Sequence, residues 1–279
     1  MVDSVNNSSS SDRSIRDKDS IKNTLIVALS LCLVSAIIVS SAAVFLKPYR
    51  QANKALFRNK NILIAAGLYE NGVTADTEVA KLFENIEIRM VDLEQKRLLS
   101  KADIAALGIN IAKFDQRKAS KDPSLSKSLE SSEDIASISR RAQFSVVYLL
   151  KKGTEIEKIV LPIHGYGLWS TLYGFLALEA DLNTVSGITF YEHGETAGLG
   201  GEIENPKWIA KWLGKQIYSS DGTVELTVVK GAVNPNSRTA NHEIDGLSGA
   251  SLTSRGVQNL VAYWLGKDGF GPVLEKIRG

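Results

Sequence analysis

The sequence predicts an α+β protein in which one N-terminal transmembrane helix is followed by a mixed α/β domain. A long uncharged apolar run, Thr24–Leu46, predicts the transmembrane helix. Later segments alternate polar and apolar residues as half-buried strands do, and two segments near the C-terminus have helical spacing. With 44% hydrophobic and 23% charged residues among 279, the composition is typical of a folded protein.

The charge balance and the cysteine content exclude several classes of function. The chain has 33 Lys and Arg against 31 Asp and Glu, so its formal net charge is only +2. Such a weak field predicts no nucleic-acid partner. Cys32 is the single cysteine, which rules out an intrachain disulfide and a paired-cysteine metal site.

The apolar run Thr24–Leu46 is long enough to cross a membrane. At about 1.5 Å per residue it spans the roughly 30 Å hydrocarbon core. A secretory signal peptide is the alternative, but its apolar core is shorter, and here a polar leader, residues 1–23, precedes the run. We therefore expect a retained single-pass anchor, residues 24–46, in contact with membrane lipid. Lys and Arg flank both of its ends, so charge alone does not orient it.

The region after the anchor alternates helical and strand patterns. Helices are predicted at Lys47–Gly67 and Thr77–Asn85, and the Ser-rich, charged stretch Lys118–Ser137 is predicted to be an exposed excursion. A sheet is predicted from five strands, namely Ile86–Leu93, Phe144–Leu150, Ile156–Ile163, Thr184–Tyr191 and Thr223–Val229.

Two helices are predicted near the C-terminus. The first has Asn205 as N-cap, Pro206 at its first position and Gly214 as a stop, with an apolar face of Trp208, Ile209, Trp212 and Leu213. The second is predicted to begin at Thr253 or Ser254 and to end at Gly266. Its apolar residues recur with helical spacing at Val257, Leu260, Val261, Trp264 and Leu265.

The segment Ile244–Gly256, "IDGLSGASLTSRG", concentrates hydroxyls and glycines immediately before this last helix. Its small residues could merely cap the helix. Alternatively, the free N–H groups of the first turn could form an anion site that glycines allow a phosphate to approach. A third interpretation makes Ser251 a hydrolytic nucleophile, but the segment lacks the G-x-S-x-G pattern. The anion site accounts for more of the hydroxyls than a cap does.

The stretch "DGLSGAS", Asp245–Ser251, resembles the flavinylation motif of the FMN-binding domain family. In that family a flavin transferase joins FMN, through its phosphate, to a Thr or Ser hydroxyl that follows "SGA". The resemblance implies covalent FMN on Ser251, with Thr253 as the alternative acceptor because threonine is the usual residue. The flanking cofactor-binding positions are Asp245, Ser248, Gly249, Ala250 and Leu252.

The order of motifs is similar to that of the C subunits of the sodium-translocating NADH:quinone oxidoreductases. The shared elements are the single anchor, "RNKNILIAAGL", "GYGLWSTLYGFLAL", "HGETAGLGGEI" and the closing "DGLSGASLTSRGVQNLVAYWLGKDGFGPVLEKIR". The resemblance implies an FMN carrier that passes electrons from NADH towards ubiquinone within a six-subunit sodium pump. The alternative is the G subunit of an Rnf-type complex, for which we expect "GYGG" where this chain has "GYGLWSTLYGF".

The same resemblance implies a location and a division of the chain. The leader would be cytoplasmic, and the soluble part would lie on the periplasmic side of a bacterial inner membrane. Residues 47–140 would be membrane-proximal, and residues 141–279 would form the FMN-binding domain.

Two further segments are candidates for holding the flavin ring. "GLWST" provides apolar cover and polar edge contacts through Gly167, Leu168, Trp169, Ser170 and Thr171. "HGETAGLGG" allows close backbone approach and provides Glu195, Thr196, Leu199 and Gly200. Without the resemblance, the first segment would be interpreted as a glycine turn beside a core tryptophan. The second does not have the dinucleotide G-x-G-x-x-G spacing.

No protein-ligated metal is predicted, because His193 and Glu195 have no third or fourth ligand at a useful spacing. Two functions from different classes therefore stay open. One is an anchored redox subunit with covalent FMN, and the other is an anchored module that binds a phosphate-bearing ligand without a covalent bond.

Overall fold

The computed structural model describes residues 21–278 as two compact units, one extending to Lys54 and the other starting at Ala55. Of the predicted leader, residues 1–20 lie outside the described residues.

The helices are α1 (Ile21–Ala65), α2 (Val79–Phe83), α3 (Lys101–Ala106), α4 (Gln116–Lys121), α5 (Pro206–Ile209), α6 (Ser251–Leu265) and α7 (Gly271–Arg278). The strands are β1 (Ile86–Asp92), β2 (Arg97–Leu98), β3 (Ser126–Ser128), β4 (Arg140–Ala142), β5 (Phe144–Lys152), β6 (Glu155–Tyr166), β7 (Thr171–Glu179), β8 (Val185–Glu192), β9 (Thr227–Val228) and β10 (Glu243–Ile244).

Helix α1 contains both the predicted anchor and most of the helix predicted after it. It runs for 45 residues without interruption, although Pro48 lies inside it and removes one backbone donor. The most apolar part of α1 carries no buried residue. Among residues 21–278, α1 is the one helix whose length and composition would allow it to span a membrane.

The second unit is built on a six-stranded antiparallel sheet of order β2-β1-β5-β6-β7-β8. Strands β1 and β5 pair along their length, so residues on both sides of position 140 share one sheet. Successive side chains of a strand point to opposite faces. On β5, accordingly, Val147 belongs to one hydrophobic cluster and Tyr148 to the other.

Both faces of the sheet are covered by helices. One cluster joins β5 and β6 to the apolar stripe of α6, including Val257 and Leu260, which are fully buried. The other cluster joins the opposite face to the end of α1, where Ile62 and Leu63 are fully buried. A Cβ on Gly187 of β8 would lie 2.3 Å from the Ala65 carbonyl oxygen, so this contact requires glycine.

Strand β7 was not predicted, although it pairs with β6 on one side and β8 on the other. Residues 174–178 are all buried, so the segment lacks the alternation of a half-buried strand, and Gly174 interrupts its apolar run. The predicted strand Thr223–Val229 was wrong in extent and in place. Only β9 forms there, and it pairs in parallel with β10 outside the main sheet, while Leu226 is buried in the core.

Other elements follow the prediction in part. Asn205 caps α5 by accepting from the Lys207 amide at 2.9 Å, which confirms the predicted N-cap. The helix then tightens into a 3₁₀ turn, Ala210–Trp212, which leaves Leu213 exposed instead of on the apolar face. The stretch Lys118–Ser137 is more regular than predicted, because it contains β3, which pairs with β4.

Candidate functional site

Three chain segments meet at one end of the sheet. The turn at residues 167–170 joins β6 to β7, whose last and first residues, Tyr166 and Thr171, are paired. The segment that follows β8 starts at the same end, since Tyr173 pairs with Glu192. The start of α6 lies against both segments.

Helix α6 begins at Ser251, two or three residues before the predicted start. The preceding Gly249 has a φ of +71°, a left-handed conformation that favours glycine, and Ala250 is the N-cap without a side-chain cap. Ser254, one of the predicted starts, instead accepts a hydrogen bond from the Leu247 amide at 3.0 Å. Its hydroxyl holds the loop in place and does not cap the helix.

The hydroxyls of this segment have different surroundings. Ser251, at the first position of α6, and Ser248 in the loop are exposed, and neither side chain hydrogen-bonds to another described residue. Thr253 is fully buried and donates to Glu195 Oε2 at 2.7 Å. The first-turn N–H groups have no partner within the helix, and they lie beside Ser251. Of the two candidate acceptors, only Ser251 is accessible.

Glu195 is a buried carboxylate with four donors. Its Oε1 accepts from the amides of Leu168, Trp169 and Ser170 at 3.1, 2.9 and 3.2 Å, and its Oε2 accepts from Thr253. Burial raises the pKa of Glu195, but the Thr253 hydroxyl and the three amides outweigh burial and hold the pKa below its usual value. The side chain is therefore ionised at neutral pH.

Three glycines allow these segments to approach closely. A Cβ on Gly167 would lie 2.6 Å from Glu195 Oε1, and one on Gly200 would lie 2.5 Å from Thr253 Oγ1. A Cβ on Gly256, inside α6, would lie 2.5 Å from the Tyr166 carbonyl oxygen. The conformation of the site thus requires glycine at these three positions, because any side chain there would collide with a neighbouring segment.

Large apolar side chains are exposed around these segments. Trp169 is 66% exposed, Leu252 54%, and Tyr166 and Leu199 each 45%. A Cβ on Gly249 would lie 3.1 Å from Leu199 Cδ2, so this leucine lies beside the loop that leads to Ser251. A flavin phosphate requires a hydroxyl or N–H anchor, and its ring requires apolar cover. Residues of both kinds are present, and the site therefore fits FMN.

Other predicted site residues are engaged elsewhere. The Asp245 carboxylate accepts from Lys211 Nζ and from the Val233 amide at 2.9 Å. Burial raises the pKa of Asp245, but these two partners bring it below its usual value. Thr171 begins β7, and the Thr196 carbonyl closes a turn by accepting from the Gly201 amide at 2.9 Å.

The acidic, histidine and cysteine side chains do not form a metal site in the part of the chain that the structure describes. Within residues 21–278, no cluster of three or more His, Cys, Asp or Glu side chains could hold a metal ion. The imidazole of His193 instead contacts Glu204, with 3.0 Å between Nε2 and Oε1, and accepts from the Glu195 amide at 3.1 Å.

Three residues of the site were not predicted. Tyr166 is part of the exposed apolar rim, the Gly194 amide donates to Ser170 Oγ at 2.6 Å, and Gly256 permits the contact between α6 and the turn. Only Gly256 could have been found from the sequence, because a glycine inside a helical pattern often marks a close approach.

The chain is similar to known proteins over most of its length. Residues 167–266 match the family described as FMN-binding domain. Over 263 residues, the chain is 49% identical to the C subunit of the Na(+)-translocating NADH-quinone reductase of Pseudomonas aeruginosa, covering 94% of this chain and 98% of that protein. The corresponding protein of Vibrio alginolyticus is 48% identical, with 94% and 97% covered.

A solved structure shows the same likeness. The crystal structure of Shewanella oneidensis NqrC superimposes with a TM-score of 0.72 at 31% identity, covering 81% of this chain and 99% of that one. These relatives are named as C subunits, and none of them bears the name of the Rnf-type alternative. The chain therefore belongs to the family of C subunits of the Na(+)-translocating NADH-quinone reductase, which are oxidoreductase subunits, and it has an FMN-binding domain.

Proposed function

We propose that this protein carries FMN joined covalently to Ser251 and relays electrons from NADH towards ubiquinone, coupled to sodium export. The observation that supports this proposal most directly is the contrast between the two candidate acceptors. Ser251 is exposed at the first position of α6, whereas Thr253 is fully buried and hydrogen-bonded to Glu195. The accessible hydroxyl also lies next to N–H groups that stabilise a phosphate.

The attachment is a phosphoryl transfer in which Ser251 is the nucleophile. Its Oγ attacks the phosphorus of a flavin phosphoanhydride donor, and a new Oγ–P bond forms. The anhydride P–O bond breaks, the other phosphate-bearing half of the donor leaves, and the hydroxyl proton passes to a base of the flavin transferase. No electrons are transferred in this step, and either serine or threonine can perform it.

The exposed apolar side chains would cover the ring of bound FMN. The side chains concerned each expose about half or more of their surface. Leu252 follows the proposed acceptor in sequence, Leu199 lies beside the loop that leads to it, and Trp169 lies in the turn held by Glu195. FMN supplies one- and two-electron transfer when it is bound. The chain's residues would hold and orient the ring, and the backbone of Gly167–Ser170 and the turn at Thr196–Gly200 are the segments available to contact it.

We propose that the protein works only with partners. The sequence has no dinucleotide fingerprint, and one cysteine cannot hold an iron–sulfur cluster. An isolated chain of this kind can accept and donate electrons but cannot complete the oxidation of NADH by quinone. The partners are the other members of a six-subunit pump, a flavin transferase and membrane lipid.

We further propose an orientation in a bacterial inner membrane. The leader, residues 1–23, is cytoplasmic and residues 24–46 span the membrane. Residues 47–140 are membrane-proximal on the periplasmic side, and residues 141–279 are the FMN-binding domain. An alkaline phosphatase fused to the C-terminus should be active, whereas a well-expressed but inactive fusion would contradict this topology.

The acceptor assignment is tested with substitutions in the full chain produced together with a flavin transferase. Ser251→Ala should abolish flavin fluorescence in a denaturing gel and the FMN mass increment. Ser251→Thr should keep both, because it retains a hydroxyl at the same position. Thr253→Val, which removes only the buried hydroxyl, should keep the label on Ser251. A label retained in Ser251→Ala and lost in Thr253→Val would move the acceptor to Thr253.

A further inference from the structure

Glu195 points into the domain instead of towards the exposed rim. Glu195 is only 8% exposed. Both of its carboxylate oxygens already accept hydrogen bonds from the protein, Oε1 from the Trp169 amide and Oε2 from the Thr253 hydroxyl. A carboxylate in this position has little capacity left to bind a flavin directly. Its contacts instead concern the arrangement of the site.

The carboxylate connects the three segments that form the site. It belongs to the segment after β8, it accepts from three successive amides of the turn at residues 168–170, and it holds Thr253 of α6. Gly167 and Gly200 flank it so closely that a Cβ on either would come within 2.8 Å of a carboxylate oxygen. Its position is therefore closely defined.

The two candidate acceptors face different directions because of helix geometry. Residues two positions apart on an α-helix are separated by about 160° around its axis, so their side chains point to nearly opposite sides. When Thr253 is held towards Glu195 in the interior, Ser251 faces outward, in agreement with its exposure. The same carboxylate fixes the turn that carries Trp169, the most exposed tryptophan of the domain.

We propose that Glu195 is a positioning residue that selects Ser251 as the flavin acceptor. It does so by engaging the Thr253 hydroxyl in the interior and by fixing the Trp169 turn beside α6. This inference rests on the proposed function, in which FMN is attached to α6. Without the carboxylate, the three amides of the turn lose their acceptor and the Thr253 hydroxyl loses its partner. The turn and the Thr253 side chain can then rearrange.

The first test measures amide hydrogen exchange in the full chain produced without a flavin transferase. Glu195→Ala should speed exchange at residues 168–170 by at least about tenfold, because charge-assisted hydrogen bonds protect these amides. Glu195→Gln, which keeps the shape but not the charge, should have a smaller effect. Exchange inside β7, at Leu176 and Leu178, should not change.

The matched control is Glu155→Gln. Glu155 is exposed at the opposite end of β6, about 36 Å along the strand from Tyr166. This variant should exchange like the wild type. Unchanged exchange at residues 168–170 in Glu195→Ala, or equal acceleration inside β7, would overturn the positioning role. If the alanine variant does not fold, the same comparison is made with Glu195→Gln.

The second test locates the flavin by peptide fragmentation after production with the transferase. Wild type and Glu155→Gln should carry FMN on Ser251 alone. Glu195→Ala should carry about tenfold less in total, with a share on Thr253 that disappears when Thr253→Val is added. Wild-type labelling confined to Ser251 in Glu195→Ala would overturn the selection.

The two tests separate this inference from the proposed function. A wild-type chain without covalent FMN would refute the proposed function and the selection of Ser251 together. Normal labelling of Ser251 combined with unchanged exchange in Glu195→Ala would refute the role of Glu195 alone.

Discussion

At the scale of single residues, the ionised Glu195 is stabilised by donors that replace its lost hydration. A buried carboxylate is costly unless hydrogen bonds compensate for the water that it loses. Here the compensation comes from one hydroxyl and three amides, which lower its pKa despite burial. The same contacts keep Thr253 buried and leave Ser251 as the accessible one of the two candidate acceptors. The stability of the site is therefore linked to the protonation of a single group.

This linkage predicts a pH dependence. Because the folded pKa of Glu195 is depressed, its contribution is complete above the unfolded pKa, about 4.3, and is lost as pH falls through the folded value. Wild type should melt at a higher temperature than Glu195→Gln at pH 7, and the difference should shrink as the pH approaches 4 and below. Thermal melts of the full chain in detergent measure this, with Glu155→Gln as the control. A difference independent of pH would contradict the linkage.

Single-residue roles were only partly predictable from the sequence. The segment Asp245–Ser251 and its resemblance to a flavinylation motif pointed to Ser251 as acceptor, which stays a prediction. The burial of Thr253 could not be predicted, because its partner Glu195 lies 58 residues away in the chain. The role of Ser254 depends on a contact with Leu247 that only the loop conformation creates.

At the scale of secondary structure elements, the site depends on how closely α6 approaches the turn after β6. Gly256 lies inside α6, with Tyr166 and Gly167 immediately beside it. In an isolated helix, alanine is more favourable than glycine by about 1 kcal/mol. At this position the packing contact opposes the propensity, since backbone atoms have little room to move.

Gly256→Ala should therefore destabilise the protein, against the propensity scale. The new Cβ would lie 2.5 Å from the Tyr166 carbonyl oxygen and 2.9 Å from Gly167 Cα. Overpacking of this kind costs about 1–3 kcal/mol. Denaturant unfolding of the full chain should show the loss, while Gln258→Ala, half-buried on the same helix, should change stability by less than about 0.5 kcal/mol. A Gly256→Ala variant more stable than wild type would show that α6 can move away from the turn.

The predictability of the strands follows their residue types more than their burial. Strand β5 is buried from Phe144 to Leu150, yet it was found close to its observed bounds because aromatic and β-branched residues dominate it. Strand β7 was missed because Gly174 interrupts it and Leu and Ala, which do not favour strands specifically, fill its second half. Thr223–Val229 alternates like a strand, yet only Thr227–Val228 forms one, outside the main sheet, and Leu226 reaches the core from irregular backbone. Local pattern does not distinguish these cases, because tertiary packing decides them.

At the scale of the whole molecule, a single chain combines an apolar helix able to span a membrane with an FMN-binding domain. The long apolar N-terminal helix and the family were correctly predicted from the sequence. The sequence has neither a G-x-G-x-x-G dinucleotide fingerprint nor the cysteines for an iron–sulfur cluster, and we propose that it holds one flavin. Its proposed role is therefore intermediate between partner subunits.

This role predicts a specific failure in an assembled complex that lacks this FMN. Ser251→Ala combined with Thr253→Ala removes both candidate acceptors. Stopped-flow absorbance should show that NADH still rapidly reduces flavin held elsewhere in the complex, because we propose that electrons enter through another subunit. Quinone turnover should fall to the background rate, since the relay beyond the entry site is interrupted.

The protein composition and flavin content of the complex must be checked first, and Ser251→Thr, which restores the acceptor, should recover turnover. Near-wild-type turnover in a complex shown to lack this FMN would refute the relay.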